Sequence, residues 1–227
     1  MIMALEAAAN KTSDSEIGSY GVEVKDVVTK VEGLFLDTLE PFTFTATACA
    51  FGYRTSLFKT ELKDKTLITK VFFTLSTNPG PNTTYGQIEE ELLKQPDRSI
   101  QSVRNAVINI RSQKLPDPAI IGNAGSFFKN PTVPESLASQ IRAAYPHIPL
   151  YPAEIQGYYK IPAAFLIDKC GWKGVRKGNV GVHFNQPLVL LAFEGATGAE
   201  VLHLSQEIQH SVKEQFNIFL EPEVNIL

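Results

Sequence analysis

This chain of 227 residues has few cysteines, little excess of one charge and no long hydrophobic run. Its two cysteines, Cys49 and Cys170, cannot form a disulfide framework, so a cytoplasmic location is the simplest expectation. The net charge of -3 gives no overall attraction to nucleic acid or anionic lipid. The longest apolar run, 188–193, has the length of a strand and not of a membrane span. The sequence therefore predicts a soluble protein without a nucleic-acid or membrane partner, in which a local cluster of basic side chains would hold any anionic ligand.

The first half of the chain has the pattern of a sheet followed by a helix. The segments 41–47 and 66–75 are rich in valine, threonine and phenylalanine and partly alternate, which predicts strands. Between residues 97 and 114 apolar residues recur every three or four positions, as on one side of a helix. Asp97 or Ser99 can cap the start of that helix.

Pro116 and Pro118 mark the predicted boundary between two domains, because each proline disfavours helical geometry in the residue before it. The first domain is expected over 1–117, with 1–16 disordered, and the second over 118–227. Together they predict the α+β class. The second domain is expected to contain, in order, a loop over 122–131, a helix from Pro134, a helix from Pro162 to about Gly171, a central strand over 186–193, and a helix that begins with a capping box from Thr197 to Glu200. A final strand is expected over 218–227, in which Pro222 suits an edge or strand-start position.

The predicted loop 122–131 holds one candidate chemical group, the hydroxyl of Ser126. Small residues before Ser126 allow a tight bend, while Phe127 and Phe128 can pack beneath the hydroxyl. A hydrolase nucleophile would be followed by a small residue and a glycine, whereas Ser126 is followed by two phenylalanines, so acyl-enzyme chemistry is not expected. From its residues alone, the loop is either an exposed proton donor or a structural turn.

Basic side chains offer two further candidates. Arg54 follows an aromatic residue and a predicted strand, and its guanidinium group matches the geometry of a carboxylate, although residue type alone slightly favours a surface ion pair. Lys114, Lys129 and Lys173 could neutralise a diphosphate, but lysines in loops are usually only solvated. Residue types alone leave both alternatives open.

Acidic and histidine residues near the C-terminus complete the candidates. Glu221 and Glu223 are two positions apart, so they share a face of the predicted final strand, and one of them could act beside a reacting group. His203 and His210 share a face of the capped helix, but a third ligand is not evident, which favours a solvated surface over a metal site. His183 carries no pattern that marks it as functional.

Six motifs, taken in their order along the chain, resemble the UDP-N-acetylenolpyruvoylglucosamine reductase family. The similarity extends from about Ile17 to the C-terminus. The motifs are IGSYGVE at 17–23, FGYR at 51–54, KLPDP at 114–118, GNAGSFFKNP at 122–131, LID and CGWKG within 166–174, and LEPEV at 220–224.

The resemblance implies an oxidoreductase of peptidoglycan synthesis. Such an enzyme reduces UDP-N-acetylglucosamine enolpyruvate to UDP-N-acetylmuramate, with NADPH as electron source and FAD as hydride carrier. It would act in the cytoplasm, as a monomer, in cell wall biogenesis, cell shape and cell division. Residues 1–117 would then be the remainder of a two-part FAD-binding domain with a mixed or antiparallel sheet, and 118–227 a small α+β substrate-binding domain.

The resemblance also assigns roles to residues. Ser126 would be the general acid that delivers a proton, Arg54 would bind the substrate carboxylate, and Glu223 would form a hydrogen bond with the developing enol. The flavin would lie near Ile17, Gly18 and Tyr20, and no metal is expected. The implied substrate contacts are Tyr85, Lys114, Asn130, Tyr151, Lys173 and Gln186.

One departure from the family concerns the flavin. The family begins with a further N-terminal region that carries glycine-rich loops for the FAD pyrophosphate, and the chain shows no counterpart of it. The expectation is an N-terminally truncated reductase that retains its substrate chemistry. The alternatives are a non-catalytic UDP-sugar-binding module and an inactive fragment of the reductase that folds poorly.

Overall fold

The computed structural model describes residues 24–52, 55–77, 80, 83 and 87–226. The chain divides into two compact units, Met1–Ile110 and Arg111–Leu227. Both contain helices and antiparallel sheets, so the predicted α+β class is confirmed. The predicted boundary between 117 and 118 remains a prediction. Among the helices that the structure describes, none combines the length and the apolar character needed to cross a membrane.

The first unit is built on a three-stranded antiparallel sheet. Its strands are β1 (Val28–Phe35), β2 (Pro41–Thr45) and β3 (Thr66–Phe73), with β1 in the centre. The strands predicted over 41–47 and 66–75 are thus confirmed, and each ends two residues early. A side chain at Gly33 would lie 2.4 Å from the carbonyl oxygen of Leu67, so only glycine fits this close approach of β1 and β3.

Two α-helices follow the sheet, and the second of them crosses the boundary between the units after Ile110. Helix α1 (Ile88–Leu92) and helix α2 (Ile100–Lys114) bury the apolar side chains Ile88, Leu92, Ala106 and Ile110 against one another. The hydroxyl oxygen of Ser99 accepts a hydrogen bond from the backbone N–H of Ser102 at 3.2 Å, and the Asp97 carboxylate accepts one from Ser99 N–H at 2.9 Å. Both predicted capping residues therefore stabilise the start of α2.

The second unit contains two antiparallel sheets. One consists of β4 (Gly122–Ser126), β8 (Arg176–Lys177), β9 (Val180–Val182) and β10 (Val189–Ala192), in the order β4-β10-β9-β8. The other consists of β5 (Thr132–Pro134), β6 (Tyr151–Pro152) and β7 (Tyr158–Lys160), in the order β5-β7-β6. The central strand predicted within 186–193 is β10, which is paired on both sides and buried.

Three helices pack on these sheets around one core. They are α3 (Glu135–Ala144), α4 (Ala163–Lys169) and α5 (Gly198–Phe216). The capping box at Thr197 and Glu200 is present at the start of α5, as predicted. The buried residues of these helices that join the core are Ala138, Ile141, Ala163, Leu166, Ile167, Leu204, Ile208, Val212 and Phe216.

Two elements differ from the sequence predictions. Half of the predicted loop 122–131 is strand β4, because its backbone pairs with the buried strand β10 despite the weak strand propensity of its residues. The final strand predicted over 218–227 is absent from its described part, 218–226, where Pro222 forms only an isolated bridge with Phe128. Proline has no N–H to donate to a ladder, so regular pairing does not extend through this segment.

Candidate functional site

Ser126 lies at the end of β4, after a turn that the side chain of Asn123 stabilises. The Asn123 carbonyl oxygen accepts a hydrogen bond from Gly125 N–H at 3.1 Å, and its amide group donates to the carbonyl oxygens of Ile121 and Pro116. Gly125 has a φ of 71°, in the left-handed region that favours glycine. The hydroxyl of Ser126 is half-buried and forms no hydrogen bond with any residue that the structure describes. Its donor is therefore uncommitted within the described part of the chain, and it lies on the turn of residues 123–126, called the serine turn.

The two phenylalanines after Ser126 anchor this turn in the core. Phe128 is fully buried, Phe127 is 6% exposed, and their rings meet edge to face with centroids 5.1 Å apart. Both belong to the core of the second unit. The predicted packing of Phe127 and Phe128 beneath the serine is thus confirmed.

Glu223 is attached to the segment that follows Ser126. Its backbone N–H donates to the carbonyl oxygen of Phe127 at 2.7 Å, and Lys129 N–H donates to the carbonyl oxygen of Glu221 at 2.9 Å. The side chains of Lys129 and Glu221 form an ion pair at 3.0 Å. Consequently Glu221 is an exposed partner of Lys129, whereas Glu223 is half-buried beside the serine turn.

Gln186 lies in the turn between β9 and β10, and His183 holds that turn. The imidazole Nδ1 of His183 accepts hydrogen bonds from the backbone N–H groups of Asn185 at 3.3 Å and Gln186 at 3.1 Å. Val189 N–H donates to the carbonyl oxygen of Gln186, and His183 N–H donates to the carbonyl oxygen of Val189, both at 2.9 Å. This role of His183 is not predicted by the sequence pattern. The only local signal for this role in the sequence is a side chain that can accept a hydrogen bond, His183 itself, three positions before Gln186.

The structure brings Ser126, Gln186 and Glu223 together through their backbones. Ser126 pairs with Val189, next to the residues that close the Gln186 turn. Phe127 N–H donates to the carbonyl oxygen of Leu188 at 2.8 Å, while the Phe127 carbonyl oxygen accepts the hydrogen bond from Glu223. Strand β4 with Ser126, the Gln186 turn and the segment with Glu223 are distant in the sequence and therefore meet on either side of Phe127.

Asn130 connects this region to helix α4. Its side-chain oxygen accepts a hydrogen bond from the N–H of Ala163 at 2.8 Å, at the first position of the helix. Pro162 precedes the helix and provides no side-chain cap, so Asn130 takes that function from a distance. The amide N–H₂ group of Asn130 stays available as a donor for a ligand.

Lys173 belongs to a turn that packs beside the Gln186 turn. Val182 N–H donates to the carbonyl oxygen of Val175 at 2.8 Å, which holds the 173–175 turn against the end of β9. A side chain at Gly174 would lie 3.7 Å from Cβ of Phe184. Lys173 itself is exposed. Its ammonium group is thus a solvent-exposed cation near the Gln186 turn.

Lys114 and Tyr151 occupy exposed positions in the same unit. Lys114 ends α2, two residues before Pro116, whose carbonyl oxygen is bound to the Asn123 side chain at 3.3 Å. Tyr151 is 56% exposed in β6, and both it and Thr132 of β5 pair with Lys160. Backbone contacts therefore link Lys114 to the serine turn, whereas Tyr151 is connected to it through a separate sheet.

The remaining predicted residues, Arg54, Tyr85, Ile17, Gly18 and Tyr20, lie outside the described residues. Their roles remain predictions. His203 and His210 are exposed on α5, where Glu207 and Glu214 respectively lie one turn farther along the helix.

A cavity of about 320 Å³ lies elsewhere in the second unit, between α5 and the strands β8 and β9. None of the predicted site residues lines it. We therefore locate the candidate site at the serine turn, where predicted residues converge, and not in this cavity. The lining residues are Lys177, Val180, Ala199, Glu200, His203, Leu204 and Glu207.

Comparison with known proteins confirms the resemblance. Residues 116–227 match a family model described as UDP-N-acetylenolpyruvoylglucosamine reductase, C-terminal domain. The UDP-N-acetylenolpyruvoylglucosamine reductase of Amoebophilus asiaticus is 49% identical over 213 residues, which cover 93% of this chain and 62% of that protein. The protein of the same name from Flavobacterium johnsoniae is 44% identical over 219 residues, covering 95% of this chain and 65% of that protein. The chain thus spans about three fifths of the length of these curated relatives.

A solved structure shares the fold. The crystal structure of UDP-N-acetylenolpyruvylglucosamine reductase from Thermus caldophilus matches 98% of this chain and 68% of that chain, with a TM-score of 0.55 and 20% sequence identity. At this identity the likeness concerns the fold alone.

Proposed function

Because the chain belongs to the UDP-N-acetylenolpyruvoylglucosamine reductase family, we propose that it provides the substrate-binding and proton-delivering part of that reductase. The reaction reduces UDP-N-acetylglucosamine enolpyruvate to UDP-N-acetylmuramate. The observation that carries the proposal is the convergence of Ser126, Gln186 and Glu223 around Phe127. We further propose that the chain acts as a cytoplasmic monomer in peptidoglycan synthesis, and therefore in cell shape and cell division.

The proposed chemistry adds a hydride to the enolpyruvyl methylene carbon and a proton to the neighbouring carbon, so that the double bond becomes a single bond. Negative charge develops beside the substrate carboxylate during the first addition, and it must be stabilised before the proton arrives. Arg54 would bind the carboxylate, Glu223 would form a hydrogen bond with the enol, and Ser126 would deliver the proton. The Ser126 hydroxyl suits this role because no described residue competes for its proton.

The proposed cofactor is FAD, and bound FAD, reduced by NADPH, would supply the hydride. The open space at Gly125, where a side chain would meet no atom within 4 Å, is compatible with the approach of a flat ring beside Ser126. Ile17, Gly18 and Tyr20 would hold the flavin according to the resemblance. The chain's own task at this point is to present the serine beside a glycine whose surroundings leave open space.

The proposed substrate contacts consist of positively charged lysines and uncharged side chains. Lys114 and Lys173 are exposed cations, so they can approach the diphosphate of a nucleotide sugar without losing a buried partner. Lys129 is less suitable because its ammonium group is already paired with Glu221. The neutral donors and aromatic groups would bind the remainder of the ligand; these are Asn130, Gln186, Tyr85 and Tyr151.

The test measures NADPH oxidation by the purified chain with FAD and UDP-N-acetylglucosamine enolpyruvate. We expect a yellow complex and substrate-dependent oxidation that stops when substrate is omitted. Calorimetry with UDP-N-acetylglucosamine provides a second readout that needs neither flavin nor turnover. Absence of both oxidation and binding heat would refute the proposed function.

A second candidate function is a UDP-sugar-binding module without turnover. It is favoured by the placement of the described ligand residues in the second unit, which has a core of its own. Binding heat without flavin binding or NADPH oxidation would identify this function. The Arg54→Ala variant then separates the two candidates further, because the reductase needs Arg54 for the enolpyruvyl carboxylate, whereas a module that binds UDP-N-acetylglucosamine does not.

A further inference from the structure

The imidazole of His183 is the centre of the turn that carries Gln186. The residue is 7% exposed, and its Nδ1 accepts the two N–H groups of Asn185 and Gln186. Phe184 lies against the imidazole, with ring centroids 4.7 Å apart. The turn from 183 to 189 therefore closes on a side chain and not only on backbone groups.

The two donors determine the state of the ring. Nδ1 can accept hydrogen bonds only through its lone pair, so the ring must be neutral with its proton on Nε2. Burial lowers the pKa of the His183 imidazole from its ordinary value of 6.5, which agrees with a neutral ring at neutral pH. A proton on Nδ1 would instead face two N–H groups and open the turn.

The same turn is fastened to the serine strand. His183 N–H donates to the carbonyl oxygen of Val189, and the carbonyl oxygen of Leu188 accepts a hydrogen bond from Phe127 N–H. Val189 pairs with Ser126. A displacement of the turn would consequently move Gln186 relative to the serine turn.

We propose that His183 is a positioning residue, whose Nδ1 holds the backbone of residues 185–186 so that Gln186 is presented to the nucleotide sugar. This inference rests on the proposed function, because it assumes that Gln186 contacts the ligand. A buried histidine that only fills space would contribute volume, whereas a positioning histidine contributes an acceptor at one defined point.

Three variants separate these roles. In His183→Asn the side-chain oxygen lies at about the position of Nδ1 and can accept the same two hydrogen bonds. In His183→Gln the amide lies one bond farther out, and His183→Leu keeps the volume but has no acceptor. We expect His183→Asn to bind UDP-N-acetylglucosamine within about threefold of the wild type, and the other two to bind about tenfold more weakly, since both hydrogen bonds to Nδ1 are lost or misplaced.

Amide hydrogen exchange at Asn185 and Gln186 gives a readout that needs no ligand. Both amides should be protected in the wild type and in His183→Asn and exchange faster in His183→Leu. Equal exchange in all variants, or full affinity in His183→Leu while Gln186→Ala weakens binding, would overturn the inference. If the wild type binds no nucleotide sugar, the proposed function fails, and the exchange rates alone decide whether Nδ1 holds the turn. Should His183→Leu not fold, the comparison of His183→Asn with His183→Gln decides the question.

Discussion

Ser126 combines a rigid position with an uncommitted hydroxyl. Asn123 fixes the turn before it, Phe127 and Phe128 fix the segment after it, and no described residue binds the hydroxyl itself. A proton donor needs this combination, because it must keep its geometry and release its proton to the substrate.

Replacement of Ser126 by alanine tests this function. In the active reductase we expect Ser126→Ala to lower kcat roughly 10²- to 10⁴-fold, the usual contribution of a general acid, while KM changes little. Steady-state NADPH oxidation measures both quantities. Ser136→Ala removes the same atom from an exposed position of α3 and should leave kcat unchanged. Equal rates for wild type and Ser126→Ala would contradict the proposed role.

Asn130 has a structural and a proposed binding function that two variants separate. Asn130→Ala removes the cap of α4 and should lower the free energy of unfolding by about 1 kcal/mol. Asn130→Asp keeps an acceptor for Ala163 N–H, so its stability should stay close to wild type, while its lost amide donor weakens nucleotide-sugar binding. Urea unfolding and calorimetry measure the two effects. A stable Asn130→Ala variant would show that the remote cap contributes little.

The structural roles of Asn130 and His183 could not be predicted from the residues alone. The family motif predicts Asn130 as a ligand residue, but the hydrogen bond between its side chain and Ala163 joins positions 33 apart and follows only from the tertiary fold. His183 acts through backbone groups two and three positions away. Its side chain reaches them only because burial places the imidazole inside the turn.

At the scale of elements, helix starts were predictable and one strand was not. The caps of α2 and α5 use side chains within a few residues of the helix, so the sequence contains the whole interaction. Strand β4 depends on pairing with β10, and its glycine, asparagine and alanine residues have low strand propensity. The final segment shows the reverse error, because the strand predicted over 218–227 is absent from 218–226, where Pro222 forms only an isolated bridge.

Acid should weaken the start of α2 through Asp97. Hydrogen bonds from the hydroxyls of Ser102 and Ser99 and from Ser99 N–H lower the pKa of Asp97 from 3.8 to about 2. A carboxyl whose pKa is lower in the folded state stabilises the fold above its unfolded pKa, and this contribution disappears as pH falls through about 2. Asp97→Asn should therefore be less stable than wild type at pH 7, and the difference should shrink towards pH 2.

Urea unfolding at pH values from 7 to about 2 measures the difference in stability between Asp97→Asn and wild type. Asp64→Asn, a change at an exposed carboxylate, serves as the matched control. A difference between Asp97→Asn and wild type that does not depend on pH would contradict the assignment of the stabilisation to the ionised carboxylate.

At the scale of the whole molecule, the second unit should fold without the first. Every buried residue of its core lies between Phe127 and Leu220, within the unit Arg111–Leu227. We expect a fragment of residues 111–227 to unfold cooperatively in urea. Trp172 is the only tryptophan in the chain and packs against this core, so its fluorescence reports on the second unit in both proteins. Loss of the transition in the fragment would show that the second unit depends on the first.

Strand β4 also influences how the chain is made. Val189 is synthesised about 60 residues after its partner Ser126, so at 5–20 residues per second β4 waits roughly 3 to 13 seconds without its partner. An unpaired strand with strong pairing tendency would recruit other chains during this time. The glycine, asparagine, alanine and serine of β4 have little such tendency. The composition that predicted a loop in place of β4 thus protects the newly made chain from aggregation until strand β10 has been synthesised.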